Sequence, residues 1–227
     1  MKIAILMLTH NAPRYVMKTL RTLRMTEGVD YEVICVDNAS RWQTRMVVMG
    51  AYWLGLVGRL CMSKVNTLFA GGNNLAAKLA SDDATHFLLL NSDMEIRRRD
   101  WLATLISHHR RGMNSFGVVM GNPINRADGY CLLLDRDIYE RYKLDENHQW
   151  WWAITKLQAH ALRDGFAVQG FREHEGFLHH FGGRRGSGFI GAKGMDVQTE
   201  EVIAWFKGNS ITILDGSTSG SIRKILR

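Results

Sequence analysis

Proline and cysteine are scarce in this sequence, and long apolar runs are missing from it. With only 2 prolines among 227 residues, a loop-dominated scaffold is excluded. The 3 cysteines (Cys35, Cys61 and Cys131) lie far apart in apolar runs, which predicts reduced core thiols and excludes a disulfide framework or a zinc motif. No stretch approaches the ~18 uncharged apolar residues of a membrane span, and the apolar N-terminus is too short for a signal peptide. We therefore expect a cytoplasmic protein, unless a partner carries it to a membrane.

The composition excludes intrinsic disorder and fibrous architectures. Hydrophobic residues make up 46% of the chain and charged residues 22%, which is the balance of an ordinary globular protein. The length fits one large α/β domain with at most a short appendage. Lysine and arginine number 29 against 22 aspartates and glutamates, and the net charge of +7 suits an anionic partner such as a nucleotide, a nucleic acid or an acidic lipid surface.

Short apolar runs alternate with helical periodicity through the first ~110 residues. The predicted strands are 2–8, 31–36, 59–65 and 86–90, and the predicted helices are 16–23, 43–56, 73–80 and 101–106. Such alternation predicts a parallel, doubly wound sheet. Polar clusters follow three of the strands, at 9–11, 37–40 and 91–93. Because ligands of such sheets bind beyond the carboxyl ends of the strands, the three clusters predict a binding site at that edge.

The second half of the chain is less regular. Its predicted elements are strands at 116–120 and 130–134, a helix from Trp150 that ends at Asp164 and Gly165, and a β segment at 166–181 that leads into a glycine-rich loop at 182–188. A short amphipathic piece at 200–206 precedes a Ser/Gly-rich tail.

The polar clusters and their neighbours resemble, in order and spacing, the motifs of glycosyltransferase family 2, and particularly its rhamnosyltransferase-like members. The matching segments are 5–11, 36–40, 66–74 and 88–93, with later likeness at 128–134, 144–146 and 179–183. The resemblance implies an α/β GT-A fold, with a Rossmann-like, mostly parallel central sheet flanked by helices and a smaller acceptor-side portion. It also implies a nucleoside diphosphate sugar as donor, a divalent metal and inversion at the anomeric carbon.

A domain division follows from the resemblance. Residues 1–190 would form a single catalytic domain, in which 1–110 bind the nucleotide sugar and 111–190 face the acceptor. Residues 191–227 would be a C-terminal extension with a short helix and a tail.

The donor site is predicted around Asp37, whose acceptor oxygens suit the imide N–H of uracil or thymine. A UDP-sugar or dTDP-sugar is therefore favoured. Thr9 and Asn11 can line the same pocket, and Gly71 and Gly72 would let the backbone approach the ligand and open a helix whose N-terminus favours anions. The remaining donor-binding candidates are Asn38, Ser40, Asn73, Asn91 and Arg184.

The family's metal motif falls on residues 91–93, so the resemblance implies that Asp93 holds Mn²⁺ or Mg²⁺. His179 would complete the coordination or contact the diphosphate. Simpler interpretations stay open: Asp37 and Asp93 as turn or cap residues, and His179 with His180 as a solvated pair.

The family's usual general base is missing. A gap-free alignment places Ala153 and Ile154 where the family carries an acidic pair. Glu146, favoured for its longer side chain, and Asp145 are the nearest replacements, followed by Asp128 and Asp135. The acceptor-binding candidates are Trp151, Trp152 and Asp128, with at least one tryptophan of the 150–152 run expected to be packing.

Three functions stay open at this point. The first is transfer to a hydroxyl of a saccharide or glycan precursor. The second is transfer to a modified base of viral DNA, with the basic runs 97–99 and 108–111 contacting phosphates. The third is a noncatalytic nucleotide-sugar binding protein. The sequence identifies neither sugar nor acceptor, and it leaves the oligomeric state open.

Overall fold

The chain begins with an alternation of strands and helices, as the apolar runs predict. The computed structural model describes residues 1–121, 123–182 and 192–215, together with the backbone of 224–225. The first elements are β1 (Lys2–Thr9), α1 (Pro13–Leu23), β2 (Asp30–Asn38), α2 (Trp42–Trp53), β3 (Arg59–Ser63), α3 (Leu68–Lys78), β4 (His86–Leu90), β5 (Met94–Ile96) and α4 (Trp101–Ser107).

Shorter strands dominate the second half. Its elements are β6 (Gly112–Ser115), β7 (Val118–Val119), β8 (Arg126–Ala127), β9 (Cys131–Asp135), α5 (Arg136–Tyr142), α6 (Trp151–Arg163), β10 (Ala167–Phe171), β11 (Leu178–His180), α7 (Thr199–Phe206), β12 (Thr212–Leu214) and β13 (Lys224–Ile225).

The described residues form one nine-stranded sheet with the order β13-β12-β10-β6-β9-β4-β1-β2-β3. Strands β4, β1, β2 and β3 are parallel to one another, as are β6, β10 and β12. Strand β9 runs antiparallel to both of its neighbours, β4 and β6. Two small antiparallel pairs, β5 with β11 and β7 with β8, lie outside this sheet. The prediction of a mostly parallel α/β sheet is confirmed.

Both faces of the sheet are covered, because alternate residues of β1 enter two different cores. Ile3, Ile5 and Met7 pack on one side with α1, α2 and α4, whereas Ala4 and Leu6 pack on the other side with α3, α5 and α6. Burial on both faces explains why the strand reads as a continuous apolar run. Cys35 and Cys131 are buried in the core, whereas Cys61 is only partly buried.

Several boundaries differ from the prediction. Helix α3 begins at Leu68, so Gly71 and Gly72 lie inside it and do not open it. A Cβ on Gly72 would lie 2.3 Å from a methyl carbon of Leu8, and the glycine therefore serves close packing of α3 on β1. The β segment predicted at 166–181 is split into β10 and β11, and helix α5 was missed.

The C-terminal extension predicted at 191–227 also contributes a helix and a strand to the fold. Helix α7 confirms the amphipathic piece, and it packs on α6 through Val202, Phe206 and Ala159. Strand β12 extends the central sheet by pairing with β10. Whether residues 1–190 form a separate domain stays a prediction. The glycine-rich loop predicted at 182–188 lies outside the described residues except for Gly182.

Candidate active site

The carboxyl ends of β4, β1 and β2 meet at one edge of the sheet. Leu6 pairs with Leu89 across β1 and β4, and Thr9 pairs with Asp37 across β1 and β2. The polar clusters that follow these strands are therefore brought together at this edge, as the sequence predicts. We refer to it as the donor edge.

Thr9 and Asp37 are fully buried at the donor edge. The Asp37 Oδ2 accepts a hydrogen bond from the Ser40 backbone N–H at 3.3 Å. Thr9 Oγ1 and Asp37 Oδ1 have no hydrogen-bond partner within the described part of the chain. A buried polar atom without a partner is costly, and such atoms commonly mark the place where a ligand binds.

Two loops of the donor edge are joined through Asn11 and Ser40. The Asn11 backbone N–H donates to Ser40 Oγ at 3.0 Å, and the Arg41 N–H donates to Asn11 Oδ1 at 2.7 Å. Asn11 and Ala39 have positive φ values of 51° and 56°, which cost energy for residues other than glycine. These hydrogen bonds hold both loops in fixed conformations beside Asp37.

The Asn38 side chain forms hydrogen bonds with the residues at the start of α3. Its Oδ1 accepts hydrogen bonds from the Thr67 N–H at 2.8 Å and the Thr67 hydroxyl at 3.0 Å, and its Nδ2 donates to Asn66 and to the Leu68 carbonyl. Asn73 is likewise buried, and its amide donates to the Phe69 carbonyl within α3. Asn38 therefore supports the loop that precedes α3, whereas Asn73 is bonded within the helix itself.

Asp93 lies beside His180 and not beside His179. The His180 Nε2 is 3.4 Å from Asp93 Oδ1, and it lies 3.3 Å from the Asn91 amide nitrogen. The His179 Nδ1 instead lies 3.0 Å from Glu175 Oε2. The alternation of side chains along β11 separates the two histidines in this way.

The ring of His180 is held by Tyr130. Their ring centroids are 4.5 Å apart in a stacked arrangement. The Tyr130 hydroxyl donates to the Phe116 carbonyl at 2.8 Å and lies 2.6 Å from His174 Nε2. Burial raises the pKa of the Tyr130 phenol and lowers the pKa of His174, so both groups are neutral at physiological pH.

The Glu146 side chain contacts the second turn of α3. The Asn74 amide donates to Glu146 Oε1 at 3.0 Å, and Glu146 Oε2 lies 3.5 Å from the Cβ position of Gly71. The side-chain Oδ1 of Asn74 accepts a hydrogen bond from the Tyr139 hydroxyl at 2.8 Å. Glu146 is exposed to solvent, and its contacts place its carboxylate beside α3, whose entry loop is bonded to Asn38.

Asp145 has different surroundings. Its Oδ2 is 2.6 Å from Lys156 Nζ and 3.0 Å from His148 Nδ1, and its Oδ1 accepts from the Asn147 N–H. Burial raises the pKa of the Asp145 carboxyl, but the hydrogen bonds from these three residues outweigh burial and lower it well below its usual range. A carboxylate stabilised in its ionised form is a weak proton acceptor.

Core residues occupy the two positions at which the gap-free alignment places the family's acidic pair. Ala153 is 0% exposed and Ile154 is 2% exposed, and both belong to the core between the sheet and α6. Gly129 allows this packing, since a Cβ there would lie 2.6 Å from Ile154 Cγ1. Neither position can therefore supply a general base.

The predicted acceptor-binding residues lie on different elements. Asp128 is half-buried just before β9, near the Tyr130 carbonyl that accepts from the Asn91 N–H at 2.8 Å.

Trp151 is exposed at the start of α6. Trp152 packs against α7, and its indole N–H donates to the Met195 carbonyl at 3.2 Å. Trp150 precedes α6 with a positive φ of 47°. The helix therefore begins at Trp151, one residue later than predicted. Arg184 lies outside the described residues.

A cluster of metal-binding groups lies at the opposite edge of the sheet. His86, His109 and Asp135 offer ligand atoms within 4.8 Å of one another, and His109 Nε2 is 3.0 Å from Asp135 Oδ2. His86 begins β4 and pairs with Asp135 at the end of β9. The cluster is therefore at the amino end of β4, whereas Asp93 follows its carboxyl end. Asp135 is excluded as a base for the donor edge by the same geometry.

The sequence analysis did not identify two residues near the donor edge, His180 and Asn74. Because neighbouring side chains of a strand point to opposite faces, His179 and His180 could have been assigned to different faces from the sequence. Asn74 was not singled out, although an amide buried between an acidic turn and a glycine pair is a signal for a positioning role.

Comparison with known proteins identifies the class. The sequence profile of glycosyl transferase family 2 matches residues 4–163. The chain belongs to this family of sugar-transferring enzymes, and the resemblance in its motifs is confirmed. No curated protein sequence matches the chain.

Solved structures with the same fold are glycosyltransferases of the GT-A class. The mannosyltransferase PcManGT from Pyrobaculum calidifontis, in complex with GDP-Man and Mn²⁺, superposes with a TM-score of 0.67 at 16% identity, over 81% of this chain and 58% of that one. TarS 1–349 of S. aureus in complex with UDP gives 0.55 at 16% identity, over 70% and 55%. Its complex with UDP-GlcNAc gives 0.51 at 17%, over 64% and 49%. The chain thus spans less than two thirds of the length of these structures.

Proposed function

We propose that the chain is a metal-dependent inverting glycosyltransferase that uses a UDP- or dTDP-sugar and transfers the sugar to a hydroxyl of a saccharide or glycan precursor. The observation that carries the proposal is the buried Asp37 at the donor edge, whose Oδ1 has no partner in the described residues. A pyrimidine imide N–H would satisfy this oxygen. Membership of the family supports the sugar-transfer chemistry.

Asp93 and His180 are the proposed metal ligands, with His180 in place of His179. A carboxylate suits Mg²⁺ or Mn²⁺, and the adjacent imidazole favours Mn²⁺ over Mg²⁺. Asn91 lies within 3.3 Å of His180 and orients the ring. When bound, the metal would neutralise the negative charge that develops on the departing nucleoside diphosphate. The mannosyltransferase PcManGT carries Mn²⁺ with its GDP-Man, which agrees with this proposal.

Glu146 is the proposed general base. The acceptor hydroxyl oxygen forms a bond to the anomeric carbon while the bond from that carbon to the diphosphate oxygen breaks, and the hydroxyl proton passes to Glu146. A single displacement of this kind inverts the anomeric centre. Glu146 is solvent-accessible and is positioned by Asn74, whereas Asp145 is held by Lys156.

A noncatalytic binding protein is the second candidate, because Ala153 and Ile154 are core residues where the family has its acidic pair. The DNA-directed alternative has less support. Four arginines of the basic runs are engaged with acidic side chains: Arg97 with Glu175, Arg98 with Asp100, Arg99 with Glu27 and Arg111 with Asp137. Phosphate contacts by these arginines would have to compete with the ion pairs.

A panel of radiolabelled donors tests the proposal. UDP-, dTDP- and GDP-sugars are incubated with Mn²⁺, and hydrolysis is measured alongside transfer to saccharide, lipid and DNA acceptors. The proposal expects hydrolysis of UDP- or dTDP-sugars and transfer to a saccharide, both lost in Asp93→Asn. Binding of a donor with no turnover would favour the noncatalytic alternative, and transfer to DNA alone would favour the second acceptor class.

A further inference from the structure

Helix α2 is apolar on two opposite faces. Thr44, Val48 and Ala51 are buried against the core. The opposite face carries a second apolar stripe, because its residues are spaced at i, i+4, i+7 and i+11. These residues are Trp42, Met46, Met49 and Trp53. Their exposed fractions are 69%, 57%, 36% and 83%, and Leu54, just after the helix, is 75% exposed. We call these five residues the α2 stripe.

An exposed stripe of this kind has a physical cost. Large apolar side chains lose about 25 cal/mol of stabilisation for each Å² that stays in contact with water. A contiguous patch of two tryptophans, two methionines and a leucine is typical of a surface that contacts a membrane or a protein partner. Because the opposite face of α2 is fixed in the core, the stripe stays on the surface of the folded domain.

The surroundings of the stripe are cationic. Residues 38–81 contain no aspartate or glutamate, whereas Arg41 and Arg45 lie at the start of α2 and Arg59 begins β3. Arg41 and Arg45 are exposed on the border of the stripe. Arg59 pairs with Glu32 at 3.4 Å, so it is partly neutralised. Tryptophans and apolar side chains bordered by arginines match the boundary between headgroups and acyl chains of an anionic membrane.

We propose that the α2 stripe is a docking surface for an anionic lipid bilayer, in which Trp42 and Trp53 enter the headgroup region and Arg41 and Arg45 contact lipid phosphates. A second copy of the chain fits this surface poorly, since a symmetric contact would bring the arginines together without a carboxylate in residues 38–81 to pair them. A nucleic acid fits it poorly as well, because Met46, Met49 and Leu54 offer nothing to a phosphate backbone. No helix of the described residues is long and apolar enough to cross a bilayer, so the docking is peripheral.

Vesicle flotation tests the proposal. The full chain is mixed with vesicles of phosphatidylcholine alone or with about one third phosphatidylglycerol, and the bound fraction is measured together with the emission maximum of tryptophan. The variants are Trp42→Ser with Trp53→Ser, and separately Arg45→Glu. The matched control is Ile203→Ser on α7, an apolar residue that is 52% exposed outside the stripe. Thermal unfolding and UDP binding verify that each variant is folded.

We expect the wild-type chain and the control to float with the anionic vesicles, with a blue-shifted emission. The double tryptophan variant and Arg45→Glu should each bind at least about tenfold less, and added salt should weaken binding. Absence of flotation would overturn the proposal. So would a dimer in light scattering that the tryptophan changes abolish, or tighter binding to single-stranded DNA than to the vesicles.

Discussion

His180, and not its neighbour His179, faces Asp93, with 3.4 Å between His180 Nε2 and Asp93 Oδ1. The register of β11 with β5 causes this arrangement, because His180 pairs with Met94 next to Asp93 while His179 pairs with Glu95. The stacking of Tyr130 on His180 fixes the imidazole in place. The imidazole is therefore oriented by the fold before any ligand arrives.

Replacement of His180 should weaken metal dependence more than replacement of His179. We expect His180→Ala to raise the Mn²⁺ concentration for half-maximal transfer by about 10–100-fold, the range seen when groups around a bound metal are lost. His179→Ala should stay within about twofold, because its partner is the exposed Glu175. The measurement is a Mn²⁺ titration of donor turnover for each variant.

His86→Gln provides the control for the other histidine cluster. Because that cluster lies at the amino end of β4, the substitution should leave the Mn²⁺ titration of turnover unchanged. Equal loss in His179→Ala and His180→Ala, or loss in His86→Gln, would contradict the assignment of the metal to Asp93 and His180.

The acidic limb of the pH profile should depend on Glu146. We expect Glu146→Gln to lose about 10²–10⁴ in turnover, the usual contribution of a positioned base, with donor affinity retained. Asp145→Asn should keep the acidic limb, since Lys156 and His148 already hold that carboxylate ionised. Turnover against pH is measured for both variants, and full activity of Glu146→Gln would place the base elsewhere, with Asp128 as the next candidate.

Asp145 should instead contribute to stability. Its pKa is lowered in the folded chain, so the unfolded state binds more protons in the acidic range and the contribution is present above the unfolded pKa of about 3.9. We expect Asp145→Asn to lower the free energy of unfolding by about 1–2 kcal/mol at neutral pH. The difference from wild type should shrink as the pH falls below about 4. Urea unfolding between neutral and acidic pH measures it, and a difference that grows on acidification would contradict the sign.

Restoring a carboxylate at Ala153 should not restore a family-like base. Ala153 is 0% exposed, and an ionised side chain there would be buried without a partner. We expect Ala153→Asp to cost about 3 kcal/mol or more in the free energy of unfolding and to leave turnover no higher. Urea unfolding and a turnover assay measure both effects. A stable variant with increased turnover would mean that this position faces the acceptor.

The structure of residues 1–110 was predictable because its signals lie within short segments of the sequence. Buried parallel strands read as apolar runs, and their polar ends at Thr9, Asp37 and Asn91 mark the edge where they meet. The start of α3 was misplaced because glycine usually interrupts helices, whereas Gly72 is placed inside α3 by its contact with Leu8. That contact joins distant parts of the chain and leaves no local signal.

The acceptor half was less predictable for the same reason. The run 130–134 reads as a buried strand, but nothing in it reveals that β9 is antiparallel to β4. This direction carries Asp135 to the far edge of the sheet and brings Tyr130 to the donor edge. The assignment of the proton acceptor to Glu146 over Asp145 likewise depends on Asn74 and Lys156, which approach from other elements.

Calorimetric titration of nucleotides tests the central claim that Asp37 and Asp93 form a metal-dependent site for a pyrimidine nucleoside diphosphate. UDP, dTDP, GDP and ADP are titrated in Mn²⁺ and in EDTA, with Asp37→Asn as the variant. The account predicts that UDP or dTDP binds in Mn²⁺, that EDTA weakens this binding at least about tenfold, and that Asp37→Asn loses the preference for pyrimidines. Preference of the wild-type chain for a purine nucleotide, or pyrimidine binding that is indifferent to EDTA, would contradict it.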